Sequence, residues 1–442
     1  MAADASKHLD ICLLASVDRR LEDVHQQWHQ ADAAYFDPEK FRIAIQTSIQ
    51  TLRTVTFILQ SNKNLIPDFQ SWYQEWQDRL RADALMRWMV DARNRIEKQG
   101  DLEAHSVIRA EIVASYLDEG PSIEFAAELF DGPQQLIEKI PANQLGEHIR
   151  KHGALRIQRR WVENTLPIHE LLDAVAIAYG KLAELVRDAH RAAGLPPPVT
   201  IDAHSGRQYD EGARGGRMPC MIGHQDLRSL YVGLADGKPI AFESREVEID
   251  LRDRKKLLSR YGIDFPNWET SSEAELGNSL FETARRLFLT DGYHITIIMM
   301  FKQGRPVSMI KVDPQNQAEK YLLMRQAARE VTIHNADTVT MIGEIWSAPP
   351  DPAKPYMRAA ESPDRREALL ATIVTKDAEP LTLRADIFRE DGRVSLGDTS
   401  VSHGGAQFMF APIYEAWGKA IPEEWYALVK KMHEPVSKHG SE

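Results

Sequence analysis

The chain has 442 residues, 43% hydrophobic and 27% charged, with 25 Gly and 23 Pro, a composition that suits two or three globular cores. It excludes disordered, collagen-like and coiled-coil classes. Lys and Arg total 54 against 65 Asp and Glu, so the net charge of -11 should repel DNA and anionic membranes, and any RNA contact must come from a local basic patch.

Helical periodicity dominates the first part of the chain. Apolar residues recur every three or four positions, which indicates helices that each bury one stripe. Asp37 and Pro38 are typical of a helix start, and Gly100 and Gly194 of a helix stop. A small β insertion is predicted near 106–160, where short apolar segments replace the helical period. The predicted helices cover approximately 6–30, 37–62, 67–100 and 167–193.

The second part of the chain alternates strands and helices. Three consecutive prolines at 196–198 follow the last of these helices and mark the predicted domain boundary. A hairpin is predicted over 228–248, because alternating apolar residues flank Asp236-Gly237. The other predicted elements are helices at 272–290, 314–333 and 423–432 and strands at 294–301, 307–312, 338–346, 367–375 and 381–389.

These elements predict an α+β multi-domain protein. Residues 1–195 are predicted to form a helical bundle that carries the β insertion near 106–160. Residues 196–218 are interpreted as a linker. Residues 219–442 are predicted to form an α+β domain with a mainly antiparallel sheet, of a type that the sequence does not identify.

Cysteine usage and hydropathy indicate the compartment. Only Cys12 and Cys220 are present, which excludes a disulfide framework and favours a reducing environment. The first ten residues contain no basic segment that leads into an apolar core, and the apolar stretch His294–Phe301 is too short to cross a bilayer. The sequence therefore predicts a cytoplasmic protein with no membrane partner.

Three segments resemble the helical domain of the HEPN superfamily. They are Arg53–Asn62 (RTVTFILQSN), Phe69–Tyr73 (FQSWY) and Arg87–Leu102 (RWMVDARNRIEKQGDL), with looser similarity over Leu155–His190. The resemblance implies a homodimeric helical domain over roughly the first 195 residues. Many catalytic members are metal-independent ribonucleases. The resemblance therefore also implies that the protein is an endoribonuclease of a toxin or defence system, that it binds RNA in a local basic cleft, and that it needs no cofactor.

The resemblance places a candidate catalytic motif on the third predicted helix. The family pattern Arg-Asn-x-x-x-His becomes Arg93-Asn94 followed by Lys98, so Lys replaces His. The resemblance implies that Arg93 and Asn94 orient and stabilise the phosphate while a base deprotonates a ribose 2′-hydroxyl. Lys98 is a poor base at neutral pH, because its reference pKa is about 10.4, and His105 is the other candidate.

Two further interpretations stay open. In one, the motif residues only bind the helix end, and the protein is a non-enzymatic dimerisation or docking protein whose C-terminal domain binds a protein partner. In the other, an unknown enzyme site lies in the C-terminal domain, where Glu344, Arg365 and His403 stand out as polar residues.

A second group of residues suits RNA binding. Arg156, Arg159 and Arg160 can contact phosphate, and the neighbouring Trp161 can stack on a base. The alternative is a strand or helix whose arginines face solvent and whose tryptophan belongs to the core.

Histidine and cysteine pairs are the remaining candidates for chemistry. Two histidine pairs, His25 with His29 and His148 with His152, have a spacing that can place two imidazoles on one helix face. Cys220 is followed four residues later by a histidine, and is interpreted as a buried thiol rather than a nucleophile. Because each histidine pair lacks an obvious third ligand, no metal site is predicted.

Overall fold

A computed structural model of the chain gives its architecture. The chain divides into two compact units, each described by itself below. The first comprises residues 1–110, 125–139 and 157–230, and the second comprises residues 111–124, 140–156 and 231–442. The structure describes residues 12–117, 120, 128, 130–141, 145–201, 207–209, 212, 214–240, 261, 272–349, 351, 357–390, 392–405 and 407–434.

The elements follow the predicted order closely. In the described part of the chain the helices are α1 (Ala15–Ala33), α2 (Pro38–Ser61), α3 (Phe69–Ala82), α4 (Ala84–Gln99), α5 (Pro133–Glu138), α6 (Glu147–His152), α7 (Leu171–Ala192), α8 (Glu273–Asp291), α9 (Gln317–His334), α10 (Ala411–Ala416) and α11 (Glu423–His433). The strands are β1 (Ala104–Val113), β2 (Ala154–Glu163), β3 (Arg228–Gly233), β4 (Pro239–Ile240), β5 (Thr296–Lys302), β6 (Arg305–Val312), β7 (Thr338–Ser347), β8 (Arg366–Thr375), β9 (Leu381–Glu390), β10 (Arg393–Leu396) and β11 (Ser400–His403). The sequence did not predict α10, β10 or β11.

Local capping explains where the helices of the first unit begin and end. The Asp37 carboxylate accepts a hydrogen bond from the Lys40 amide at 3.3 Å, and Pro38 occupies the first turn of α2 as predicted. The single predicted helix over 67–100 is two helices, which corrects that prediction. Asp83 separates them, because its carboxylate accepts from the Met86 amide at 3.0 Å and caps α4.

The core of the first unit is built around buried tryptophans. Trp28 is fully buried on α1, and its indole donates to the Leu172 carbonyl at 2.9 Å. Trp161 on β2 is 2% exposed, stacks on Phe41 at 4.8 Å between ring centroids, and donates to the Tyr35 carbonyl at 2.9 Å. Each buried indole therefore has a partner for its only polar group.

Strands β1 to β4 form a four-stranded sheet in the order β1-β2-β3-β4. The region predicted as a β insertion holds β1 and β2, together with the helices α5 and α6, which were not predicted. The predicted hairpin is present, because β3 pairs antiparallel with β4 and Tyr231 lies opposite Ile240. The last part of the predicted hairpin, residues 241–248, lies outside the described residues. The same holds for three apolar residues of the predicted insertion, Ile123, Phe125 and Leu129.

The second unit contains a seven-stranded antiparallel sheet. Its strand order is β10-β9-β8-β7-β5-β6, and β11 pairs with β9. The two faces of β8 pack against different hydrophobic clusters. Leu369, Ala371 and Ile373 pack in the cluster that contains α8, whereas Val374 packs in the cluster that contains α9 to α11. Burial on both faces explains why the centre of β8, from Ala368 to Val374, is apolar except for Thr372. The predicted α+β class with a C-terminal antiparallel sheet is confirmed.

The predicted and observed boundaries differ. The sequence predicts a linker over 196–218 and a new domain from 219, whereas residues up to 230 group with the first unit. Met221 shows the physical reason, because it is fully buried in the helical core of that unit. Within the described residues, no helix combines the length and hydropathy that a membrane-crossing segment needs.

Candidate metal centre

The four candidate catalytic residues of α4 and β1 do not form one site. Arg93 pairs with Glu97 at 2.6 Å and donates to the Asn94 side chain at 3.2 Å. Asn94 and Lys98 line a solvent-open cleft whose lining does not include Arg93. His105 is exposed on β1, and within the described residues no hydrogen bond or ion pair joins it to the other three. The described side-chain partners of Arg93 are therefore Glu97 and Asn94, and neither Lys98 nor His105 is among them.

The arginines proposed to bind RNA have other partners. Arg159 is 1% exposed, and its guanidinium lies 5.0 Å from the ring of Trp161, which is also buried. Burial lowers the pKa of Arg159 to about 10. Arg156 pairs with Glu111 at 3.1 Å, and Arg160 donates to backbone carbonyls. Arg159 and Trp161 are therefore core residues rather than an RNA-binding surface, which corrects that prediction.

The polar residues singled out in the second unit are also dispersed. Glu344 accepts from Arg389 at 2.9 Å, and burial raises the pKa of its carboxyl. The Arg365 guanidinium lies 4.9 Å from the Trp346 ring. His403 is exposed on β11, and the described contacts of these residues do not bring Glu344, Arg365 and His403 together. They give no basis for an enzyme site.

The histidine pair of α6 has a structural role. His148 is 7% exposed, and its Nε2 lies 3.0 Å from the Tyr321 hydroxyl. Burial lowers the pKa of His148 to about 4, so the imidazole is neutral at physiological pH. The Tyr321 hydroxyl of the second unit is therefore a partner of the buried imidazole.

Three potential metal ligands converge on the first unit. His25 Nε2 lies 3.1 Å from His29 Nε2 and 3.1 Å from Cys220 Sγ. All three ligand atoms lie within 4.8 Å of one another. Imidazole nitrogen and thiolate sulfur are the ligands that Zn²⁺ takes in proteins. The arrangement therefore has the donor set of a three-ligand zinc site.

Helix α1 places its two histidines side by side. His25 and His29 are four residues apart, so both imidazoles lie on one face of the helix. Leu21, Val24 and Trp28 are buried on the face that packs against the core. Burial of that face fixes the rotation of α1 and leaves the two imidazoles near the surface.

The loop that carries the cysteine is held against α7. A Cβ on Gly180 would lie 2.2 Å from a loop carbonyl oxygen, so the close approach of loop and helix requires glycine there. Arg217 pairs with Asp173 of α7 at 3.6 Å. Met221, the residue after Cys220, is fully buried. These contacts before and after Cys220 fix the position of its thiol.

Carboxylates surround the three ligands. Glu22 Oε2 lies 3.5 Å from His25 Nδ1, so the carboxylate can orient the imidazole with Nε2 toward the cluster. His224 Nδ1 lies 3.8 Å from Asp32, and His224 Nε2 lies 2.9 Å from the Cys220 carbonyl oxygen. A fourth imidazole therefore borders the cluster.

The Cys220 thiol is not an activated nucleophile. Although the residue is exposed, partial desolvation of its thiol raises the thiol pKa, and the carboxylates of Asp32 and Glu22 act in the same direction. A nucleophilic cysteine needs a lowered pKa. The surrounding negative charge instead favours a bound cation, which would itself deprotonate the thiol.

A second cluster of potential metal ligands consists of Cys12, Asp18 and His190, and its contacts are explained without a metal. His190 is 1% exposed, and its Nε2 lies 3.2 Å from Asp18 Oδ2 and 3.3 Å from Cys12 Sγ. Burial is the largest single influence and disfavours the imidazolium, but the hydrogen bonds with Asp18 and with the Val186 carbonyl, together with the Asp18 charge, outweigh it and raise the pKa of His190. These contacts already give the Nε2 atom of His190 two partners within the protein, Asp18 and Cys12.

This ion pair predicts a pH-dependent stability. The His190 pKa is higher in the folded chain than the unfolded value of about 6.5, so its contribution is complete below about pH 6 and is lost as pH rises through the folded pKa. We expect Asp18→Asn to lower the free energy of unfolding more at about pH 5.5 than at about pH 9. Urea unfolding at both pH values measures the difference, and an equal loss at both would contradict the ion pair.

The cluster of His25, His29 and Cys220 was not predicted, because its members belong to two pairs that lie far apart in the sequence. His25 and His29 lacked a third ligand, while Cys220 and His224 were considered only for nucleophilic chemistry. The two pairs are almost 200 residues apart, and His25 is separated from Cys220 by 195 positions. Each pair has a spacing of four residues, but this spacing does not indicate that the two pairs meet in the fold.

The chain was compared with known proteins. The model of a family described as bacteriophage lambda protein ea47 matches residues 6–434. The chain is 34% identical over 338 residues to protein ea47 of Escherichia phage lambda, and the match covers 74% of this chain and 78% of that protein. No solved structure matches.

These matches overturn the HEPN resemblance. A single family spans nearly the whole chain, including the C-terminal half that the resemblance left unplaced. The identification as a HEPN domain is therefore wrong, and the ribonuclease, toxin and defence interpretation that depended on it has no support. The short similar segments around Arg93 reflect a helical periodicity that unrelated bundles share.

Proposed function

The chain belongs to the bacteriophage lambda ea47 family, and we propose that it is a zinc-binding protein. In this proposal one Zn²⁺ is bound by His25, His29 and Cys220. The ion fastens the loop before β3 to α1, two segments far apart in sequence. The convergence of the three ligand atoms within 4.8 Å is the observation that carries the proposal.

The distances support a tetrahedral ion. With Zn–N of about 2.0 Å and Zn–S of about 2.3 Å, tetrahedral ligand atoms lie roughly 3.3–3.6 Å apart. His25 Nε2 is 3.1 Å from both His29 Nε2 and Cys220 Sγ, so small side-chain movements suffice to admit the ion. Glu22 supplies the carboxylate that commonly orients a zinc-bound imidazole.

The ligand at the fourth coordination position of the zinc ion decides whether the ion is structural or catalytic. Structural zinc sites are closed by four protein ligands, whereas catalytic sites keep one position for water. His224 borders the cluster, with its imidazole 4.8 Å from the Trp28 ring. We propose that His224 rotates to become the fourth ligand and that the ion is structural. Such an ion needs a reduced Cys220, so we propose the cytoplasm as the compartment.

The test is zinc binding by purified full-length protein. We expect one equivalent of zinc by elemental analysis and by calorimetric titration of the metal-free protein with ZnCl₂, in a phosphine reductant that does not compete for zinc. Cys220→Ser should weaken binding by about 100-fold or more, because changes in the outer shell alone cost about 10–100-fold. Cys12→Ser is the matched control, since it removes the other thiol and should leave affinity unchanged.

Two results would contradict the proposal. One is the absence of saturable binding by wild-type protein whose circular dichroism shows it folded. The other is a loss of affinity in Cys12→Ser as large as that in Cys220→Ser, which would move the ion to the cluster of Asp18 and His190. The non-enzymatic docking role with a protein partner stays a prediction, and a structural zinc ion is compatible with it.

A further inference from the structure

The helices of the first unit line a cavity, partly open to solvent, that the zinc proposal does not use. Its volume is about 370 Å³, within the range of about 300–1,000 Å³ for small-molecule sites. Side chains from α2, α3, α4 and α7 line it. The apolar lining consists of Ile49, Leu52, Leu80, Met86, Met89, Val90, Ala178 and Leu182.

Basic side chains border this apolar cavity. Arg53, Arg81 and Arg87 line it together with one acidic residue, Asp91. The excess of positive charge is local, because the chain as a whole carries a net charge of -11. An apolar interior bordered by guanidinium groups complements a ligand with a hydrocarbon chain and an anionic headgroup.

Two of the arginines are held in place without a carboxylate among their described partners. Arg87 donates to the carbonyls of Arg81 and Ala82 at 2.6 and 2.9 Å, at the C-terminal end of α3. Arg53 donates to the Thr56 hydroxyl at 3.2 Å, and its guanidinium lies 4.5 Å from the Phe57 ring. With three guanidinium groups against the single carboxylate of Asp91, the cavity lining keeps an excess of positive charge for an anionic ligand.

We propose that this cavity binds a fatty carboxylate. The hydrocarbon chain lies among the leucine and methionine side chains, and the carboxylate accepts hydrogen bonds from Arg53 and Arg87. Burial of the chain supplies the affinity, and the guanidinium pair selects the anionic headgroup. The site is independent of the zinc ligands, which lie on α1 and in the loop before β3.

The test is calorimetric titration of the full-length protein with sodium dodecanoate below its micelle concentration, with dodecanol as the neutral probe of equal chain length. We expect saturable binding of one dodecanoate per chain and weaker binding of dodecanol. Arg53→Gln combined with Arg87→Gln should weaken dodecanoate binding by about tenfold or more. Val90→Trp should abolish it, because Val90 is 42% exposed at the cavity and a larger side chain there fills the space.

The matched control is Arg79→Gln, which removes an exposed arginine of α3 that does not line the cavity. Circular dichroism and a thermal melt establish that each variant is folded before titration. Three outcomes would overturn the proposal: no saturable binding of dodecanoate to wild-type protein, equal affinity for dodecanol, or a double variant that binds as tightly as Arg79→Gln. Failure here would leave the zinc proposal untouched, because the two titrations use different ligands and different residues.

Discussion

Arg95→Met should lower the free energy of unfolding by about 3–5 kcal/mol, because it leaves a buried carboxylate without its cation. Glu163 is fully buried, and Arg95 NH1 donates to its Oε1 at 2.8 Å. The indole of Trp88 and the amide and hydroxyl of Thr165 donate to the other carboxylate oxygen. These neutral donors remain in the variant, but none can compensate the charge.

Arg93→Met is the matched control on the same helix. Arg93 and Glu97 form a partly exposed pair whose carboxylate is 42% accessible, and such solvent-accessible pairs contribute at most about 1 kcal/mol. Urea unfolding monitored by tryptophan fluorescence measures both losses. Equal losses in the two variants would contradict the account, because they would mean that burial of Glu163 does not distinguish the two ion pairs.

Trp161→Ala should also cost about 3–5 kcal/mol of unfolding free energy, since removal of a buried indole leaves a large cavity. The indole stacks on Phe41 and donates to the Tyr35 carbonyl. Trp161→Phe should cost less, because it keeps most of the packing and loses the hydrogen bond. The measurement is equilibrium unfolding in urea, with circular dichroism as the signal.

Ile168→Ala is the control for this second prediction. Ile168 lies a few residues further along the first unit and is 79% exposed, so its truncation should change the unfolding free energy by less than about 0.5 kcal/mol. If Trp161→Ala were as stable as Ile168→Ala, the indole would be a surface residue and the burial of Trp161 would be wrong.

The fold was predictable where apolar periodicity and capping agree. Helix α2 begins at the Asp37-Pro38 signal, and strands β5 to β9 lie within a few residues of their predicted bounds. The break at Asp83 was not predictable from periodicity, because an exposed Asp fits a continuous helix as well as an N-cap. The short strands β10 and β11 are too brief to show an alternation.

The candidate site was much harder to predict than the fold. Its ligands meet only after α1 and the loop near Cys220 pack on the same unit, and no local pattern encodes a contact across 195 positions. The arginines that looked functional illustrate the opposite error. Arg159 and Arg160 are rich in donors, yet Arg159 donates to the Asp131 carbonyl and Arg160 to the Gln225 and Ile168 carbonyls within the first unit. Residue type alone does not separate these two uses.

The most direct test of the zinc centre is the absorption spectrum of the protein titrated with Co²⁺, which takes the place of zinc and reports its ligands. The account predicts that one equivalent produces a sulfur-to-cobalt charge-transfer band together with the visible bands of a tetrahedral ion. The charge-transfer band should disappear in Cys220→Ser and persist in Cys12→Ser. A wild-type spectrum without that band, or a band that persists in Cys220→Ser, would contradict the assignment of His25, His29 and Cys220 as the ligands.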